Sequence, residues 1–176
     1  MSTFPRRRLL LIGGGAAACA ALELRGFGSP RAEAADAETF EITRSEAEWR
    51  KLLSPSQFAV LREEGTERPF SSPLNDEHRP GQFSCAACQL ALFSSKTKFD
   101  SGTGWPSFWQ PLANAVGERR DLKYGMVRTE VHCRRCGGHL GHVFDDGPKP
   151  TGLRYCMNGI AMQFTAALAT GTPATP

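Results

Sequence analysis

The sequence predicts a mainly β fold, two small antiparallel sheets packed together with short N-terminal helices. Three observations predict it. From Gln82 onward the chain is a series of short apolar runs punctuated by Gly and Pro, the pattern of many brief antiparallel strands. Ahead of that stretch stand two helix-start signals in quick succession, and helix and strand signals do not alternate as a parallel sheet requires. Two C-x-x-C pairs, Cys85/Cys88 and Cys133/Cys136, tie segments far apart in the chain.

The elements follow in order. Residues 35–44 read as a tether or an edge strand. Ser45 and Glu48 form a capping box ahead of Trp49, Leu52 and Leu53. Ser54 repeats the device, with Pro55 at the first helical position, Gln57 at the third, Phe58 and Leu61 on the apolar face and Gly65 as the stop. Residues 66–81 hold three prolines and read as a loop. Strands are expected at 83–85, 92–93, 108–109, 116–118, 122–129, 130–133, 143–144, 153–158 and 161–165, and the tail 169–176 is small and polar.

The first 34 residues do not belong to this pattern. Arg6, Arg7 and Arg8 precede a mildly apolar stretch, Leu9 to Leu22, and Ala32-Glu33-Ala34 offers a cleavage site. Paired arginines followed by leucines read as a twin-arginine export signal, which places the protein in a bacterial periplasm. The competing reading is an uncleaved membrane anchor, although the run is short of the ~20 residues a span needs and contains Gly13 to Gly15. Cleavage would leave no stable membrane insertion. The whole chain carries 21 Lys+Arg and 18 Asp+Glu, a net of +3, but residues 1–34 hold five of the basic and two of the acidic groups, leaving 16 of each. A neutral domain has no electrostatic footprint for nucleic acid. The roughly 140 residues that remain suit one domain, 45–168, with one core, expected to act as a monomer.

Six cysteines divide by spacing: Cys19 in the leader, the two C-x-x-C pairs, and Cys156 alone. Two knuckles of this kind close a tetrahedral structural site with no position left for water, so Cys85, Cys88, Cys133 and Cys136 are expected to hold one Zn²⁺. Gly137 and Gly138 allow the tight turn after the second pair. Disulfides are the competing reading for an exported protein.

Cys156 lies in Gly152-Leu153-Arg154-Tyr155-Cys156-Met157-Asn158. On a strand, Arg154, Cys156 and Asn158 share one face, where a fixed positive charge favours the thiolate. His139-Leu140-Gly141-His142 supplies two imidazoles able to give a proton, and Gly104-Trp105-Pro106-Ser107-Phe108 holds an indole in a rigid turn, a platform for a methyl group. The plain alternative is a buried, inert cysteine in a metal-stabilised binding module.

Together with Arg128-Thr129-Glu130-Val131, Val143-Phe144 and Asp146-Gly147-Pro148, these motifs resemble the B-type peptide-methionine sulfoxide reductases, from about Trp49 to Phe164. The resemblance implies two antiparallel sheets, a Cys₄ zinc, and thiol-dependent reduction of methionine-R-sulfoxide in peptides and proteins. Cys156 would attack the sulfoxide and become a sulfenic acid. His142 or His139 would protonate the oxygen. Trp105 and Phe108 would bind substrate, Arg154 and Asn158 would fix geometry, and Asp146 would orient the histidines. Where many members carry a second cysteine, this chain has Thr103, which implies reduction by a thioredoxin-like or small external thiol, the competing reading being a zinc cysteine released from its site. Gly159 stands where a serine is usual, which implies a less firmly held Asn158.

Overall fold

A computed structural model describes residues 38–168; the leader and the tail beyond residue 168 lie outside the described residues. Residues 38–44 form neither helix nor strand, and the Ile42 amide donates to the Arg135 carbonyl instead. Both capping boxes form. Helix α1 (Glu46–Leu52) is capped by Ser45 and Glu48, and α2 (Pro55–Leu61) by Ser54 and Gln57, each pair exchanging side-chain and backbone hydrogen bonds. α2 stops at Leu61 rather than at Gly65, whose amide reaches back to the Ala59 carbonyl. Trp49, Phe58, Val60 and Leu61 are buried, so one face of each short helix goes into the core.

Nine strands follow: β1 (Gly81–Cys85), β2 (Ala91–Ser94), β3 (Lys98–Phe99), β4 (Ser107–Phe108), β5 (Val116–Asp121), β6 (Arg128–Cys133), β7 (His139–Phe144), β8 (Arg154–Met157) and β9 (Met162–Ala166). They make two antiparallel sheets of unequal size, β2-β1-β9 and β3-β4-β8-β7-β6-β5. Aromatic rings join them. Phe108 of the large sheet stacks on Phe93 of the small one at 4.3 Å between centroids and meets Phe83 edge-on at 4.9 Å.

The strand expected over 122–129 does not form. Lys123–Gly125 is a single 3₁₀ turn in which Tyr124 and Gly125 take φ of 58° and 69°, and the Lys123 amide donates to the Asp121 carboxylate. The turn joins β5 to β6 as a hairpin. Leu122, Tyr124, Met126 and Val127 therefore have no sheet face to cover and lie exposed.

Gly141 sets the spacing of β7 and β8. A Cβ at this position would lie 2.1 Å from the Cys156 carbonyl oxygen. Gly141→Ala should cost about 1–3 kcal/mol, the range for overpacking. The check is a lowered thermal midpoint in calorimetry, with altered reactivity of Cys156 in the same variant.

Candidate active site

Strand register builds the site. Ser107 on β4 pairs with Cys156, Cys156 with His142, His142 with Glu130, and Glu130 with Arg119. Opposed residues in antiparallel strands leave the sheet on the same side. One polar row therefore crosses the large sheet, while Tyr155 and Met157 alternate into the core. A second row carries Arg154 opposite Phe144 and Asp121 opposite Arg128.

Cys156, His142, Trp105, Asn158, Arg128, Phe144, Gly141 and Thr66 line a pocket of about 140 Å³. That is well below the ~300–1,000 Å³ of sites for drug-sized ligands and suits a single side chain. A groove of about 720 Å³ lies beyond Thr66 and Glu67, but no thiol or imidazole lines it.

Each histidine leans on a carboxylate. His142 Nε2 is 2.8 Å from Asp121 Oδ2, which also accepts from Arg128 Nη2 at 2.6 Å. The Lys123 amide, His142 and Arg128 together hold the Asp121 carboxyl well below the usual range. Burial pulls His142 down, and the opposing effect of Asp121 does not offset it, so the ring rests neutral near pH 7. His139 is buried behind it, ring centroids 5.4 Å apart, with Nδ1 2.7 Å from Glu130 Oε1. Burial alone would raise Glu130, but hydrogen bonds from His139 and Arg119 outweigh it and bring the carboxyl to about 2.

Asn158 is firmly held, contrary to the expectation from Gly159. Its Nδ2 donates to the Leu140 carbonyl at 3.0 Å and its Oδ1 accepts from the Glu67 amide at 2.9 Å. Gly159 serves this arrangement, because a Cβ there would fall 2.0 Å from Ser72 Oγ. Glu67 also accepts Trp105 Nε1 on its carbonyl at 3.2 Å and the amides of Gly159 and Ile160 on its carboxylate, so this one residue braces both Trp105 and Asn158.

Three expectations are corrected. Phe108 does not line the pocket; its ring is fully buried between Phe93 and Phe83, because β4 turns that side chain to the core while Ser107 faces Cys156. Asp146 does not touch either histidine; its two oxygens accept from Arg154 Nε and Nη2 at 2.8 Å each. Arg154, engaged there and lying 4.5 Å over the Phe144 ring, does not turn Cys156 into a ready thiolate. Burial pushes the Cys156 thiol up, and Thr103, Arg154 and Ser107 only partly counter it. Sequence reasoning missed Asp121, Glu130, Glu67 and Arg128 as site residues. Reading 128–144 as a hairpin would have set Glu130 against the His139–His142 pair. Nothing comparable marks Glu67, a loop residue that reaches Asn158 and Trp105 through its backbone.

The four remaining described cysteines come together. Their sulfurs lie within 4.8 Å of one another, with Cys85 Sγ to Cys136 Sγ at 3.8 Å and Cys88 Sγ to Cys133 Sγ at 3.5 Å. Disulfide sulfurs are ~2.05 Å apart, whereas the edge of a tetrahedron with metal–sulfur bonds of ~2.3 Å is about 3.8 Å. The donor set and spacing therefore fit one metal ion. Gly137, at φ 66°, makes the turn between β6 and β7 that presents Cys133 and Cys136.

Glu130 supplies an acid-sensitive prop. Its folded pKa is depressed, so its stabilisation is present above the unfolded value near 4.5 and is lost as pH falls toward 2. Glu130→Gln should lower stability at pH 7 by about 1–3 kcal/mol, because Arg119 and His139 lose their charged partner. Urea denaturation between pH 5 and 2 should then show a flatter pH dependence than the wild type.

Comparison with known proteins agrees with this geometry. A SelR domain matches residues 53–166. The peptide methionine sulfoxide reductase MsrB of Agrobacterium fabrum is 54% identical over 131 residues, covering 74% of this chain and 97% of that protein. That of Bradyrhizobium diazoefficiens is 57% identical over 124 residues, 70% and 89%. That of Thiobacillus denitrificans is 58% identical over 122 residues, 69% and 92%. With a match of this length carrying the pocket, the histidine pair and the cysteine cluster, the chain belongs to the SelR family, that of the MsrB peptide methionine sulfoxide reductases.

Proposed function

We propose that the protein reduces methionine-R-sulfoxide in peptides and proteins to methionine, with Cys156 as the nucleophile. The observation that carries this is the position of Cys156. Among the described cysteines it alone stands outside the four-sulfur cluster, and it lines a side-chain-sized pocket with His142, Trp105 and Asn158. Trp105 receives the methyl group, while Asn158 and Arg154 fix the wall of the pocket.

The resting pair is a thiol beside a neutral imidazole. Cys156 sulfur attacks the sulfoxide sulfur, and the oxygen passes to Cys156 as the oxygen–sulfur bond of the substrate breaks. The thiol proton passes through His142 to that oxygen, so Cys156–SH and the sulfoxide become Cys156–S–OH and the thioether. His139 backs His142 from the buried side. The described residues place no further free cysteine at the pocket, so an external thiol, small or thioredoxin-like, reduces the sulfenic acid. Cys85, Cys88, Cys133 and Cys136 hold a structural Zn²⁺ that braces the turns after β1 and β6 and takes no part in the reaction. The protein acts as a monomer in the periplasm, a reading supported by Arg6–Arg8, the apolar run and Ala32-Glu33-Ala34.

With dithiothreitol and an R-sulfoxide peptide, the wild type should convert the sulfoxide to the methionine peptide and Cys156→Ser should convert none; an inactive wild type overturns the reading. Asp121 raises the pKa of His142, so Asp121→Asn should move the acid limb of the kcat/KM profile to lower pH. Chelation should release one Zn²⁺ per chain and lower the thermal midpoint, as should Cys133→Ser.

A further inference from the structure

Three linked hydroxyls lead to Cys156 and take no part in the scheme above. Thr103 Oγ1 lies 3.9 Å from Cys156 Sγ and 2.8 Å from Ser101 Oγ. Ser101 Oγ lies 2.7 Å from Ser107 Oγ, and Ser107, fully buried, reaches the Trp105 carbonyl at 3.1 Å. A hydroxyl has one proton and two acceptor sites, and a carbonyl only accepts. Ser107 therefore spends its proton on Trp105, and Ser101 spends its own on Ser107. The Thr103 proton alone is free to turn between Ser101 and the Cys156 sulfur.

The other groups facing Cys156 are shared with further partners. Arg154 on the same strand is bound to Asp146, and His142 on β7 and Arg128 on β6 both bind Asp121. In the 100–104 turn, Asp100 accepts from the Gly102 amide. We propose that Thr103 is a positioning residue whose hydroxyl turns from Ser101 to hydrogen-bond the Cys156 sulfur as it ionises and then holds the oxygen of the sulfenic acid until an external thiol arrives. The second half rests on the reading of Cys156 given above. The sequence of bonds is balanced. Cys156–S–OH and a thiol R–SH give Cys156–S–S–R and water, and a second thiol releases R–S–S–R and restores Cys156–SH. Where a neighbouring thiol would capture the sulfenic acid as a disulfide, this chain offers a hydroxyl that cannot form that bond.

The first test needs no substrate. In the full chain, iodoacetamide labelling of the Cys156 peptide is followed by mass spectrometry against pH. The Thr103 hydrogen bond is the largest single effect that lowers the Cys156 pKa. Thr103→Val should raise the labelling midpoint by about one unit and slow labelling about tenfold at pH 7. Thr103→Ser should restore the wild-type curve, and Ser101→Ala, which removes the competing acceptor for the Thr103 proton, should shift it the opposite way by less. After one exposure to sulfoxide peptide without thiol, dimedone should capture several-fold less sulfenic acid from Thr103→Val at equal delay. A Thr103→Val curve that overlays the wild type, or a Thr103→Ser curve that follows Thr103→Val, overturns the proposal. Reduction of the sulfoxide peptide by the wild type is measured separately, so failure of Thr103 and failure of the proposed reaction are distinguishable.

Discussion

The pairing register of β7 with β8 governs everything else in this molecule. Cys156 faces His142 only because Gly141 pairs with Met157, Val143 with Tyr155 and Phe144 with Arg154. A slip of one residue would send Cys156 into the core and turn Tyr155 toward the pocket. The register is fixed from both sides of the sheet. Tyr155 and Met157 are buried on one face, and the Leu140 carbonyl receives both the amide and the side chain of Asn158 at the end of β8. The close approach at Gly141 leaves no room for a side chain between the strands, so the spacing cannot relax without unpairing them.

Given that register, burial and charge divide the labour. The cysteine is raised and the histidine lowered by the same removal from water, so each rests neutral, on directly opposed positions of β8 and β7. The carboxylates behind the imidazoles are both strongly acidic, each held by an arginine from the hairpin of β5 and β6 as well as by its histidine. Arg154, clamped by Asp146, is laid over Phe144 and so backs one of the residues that line the pocket.

Much of this was legible in the sequence. The capping boxes, the short β runs, the isolation of Cys156 and the knuckle spacing are local signals, each carried by residues a few positions apart. They led to two helices, two antiparallel sheets and a cluster of four sulfurs. What was not legible depends on partners distant in the chain. Phe108 and Ser107 are neighbours with opposite fates, and only the pairing of β4 with β8 decides which one faces Cys156. The apolar content of 122–127 imitates a strand, but Asp121 captures the Lys123 amide and reverses the chain. Glu67 braces Asn158 and Trp105 through backbone groups that every residue possesses, so its identity gives no clue to that role.

The small sheet has a temporal aspect. β1 sits at its centre, flanked by β2, which follows within a few residues, and by β9, which is Met162–Ala166. During synthesis the near edge can zip at once, whereas the far edge stays bare until β9 has cleared the ribosome. Phe83 pairs with Phe164 across that edge, so its aromatic neighbourhood also waits. At ~5–20 residues added per second, this leaves several seconds in which an unpaired β-edge is open to other nascent chains.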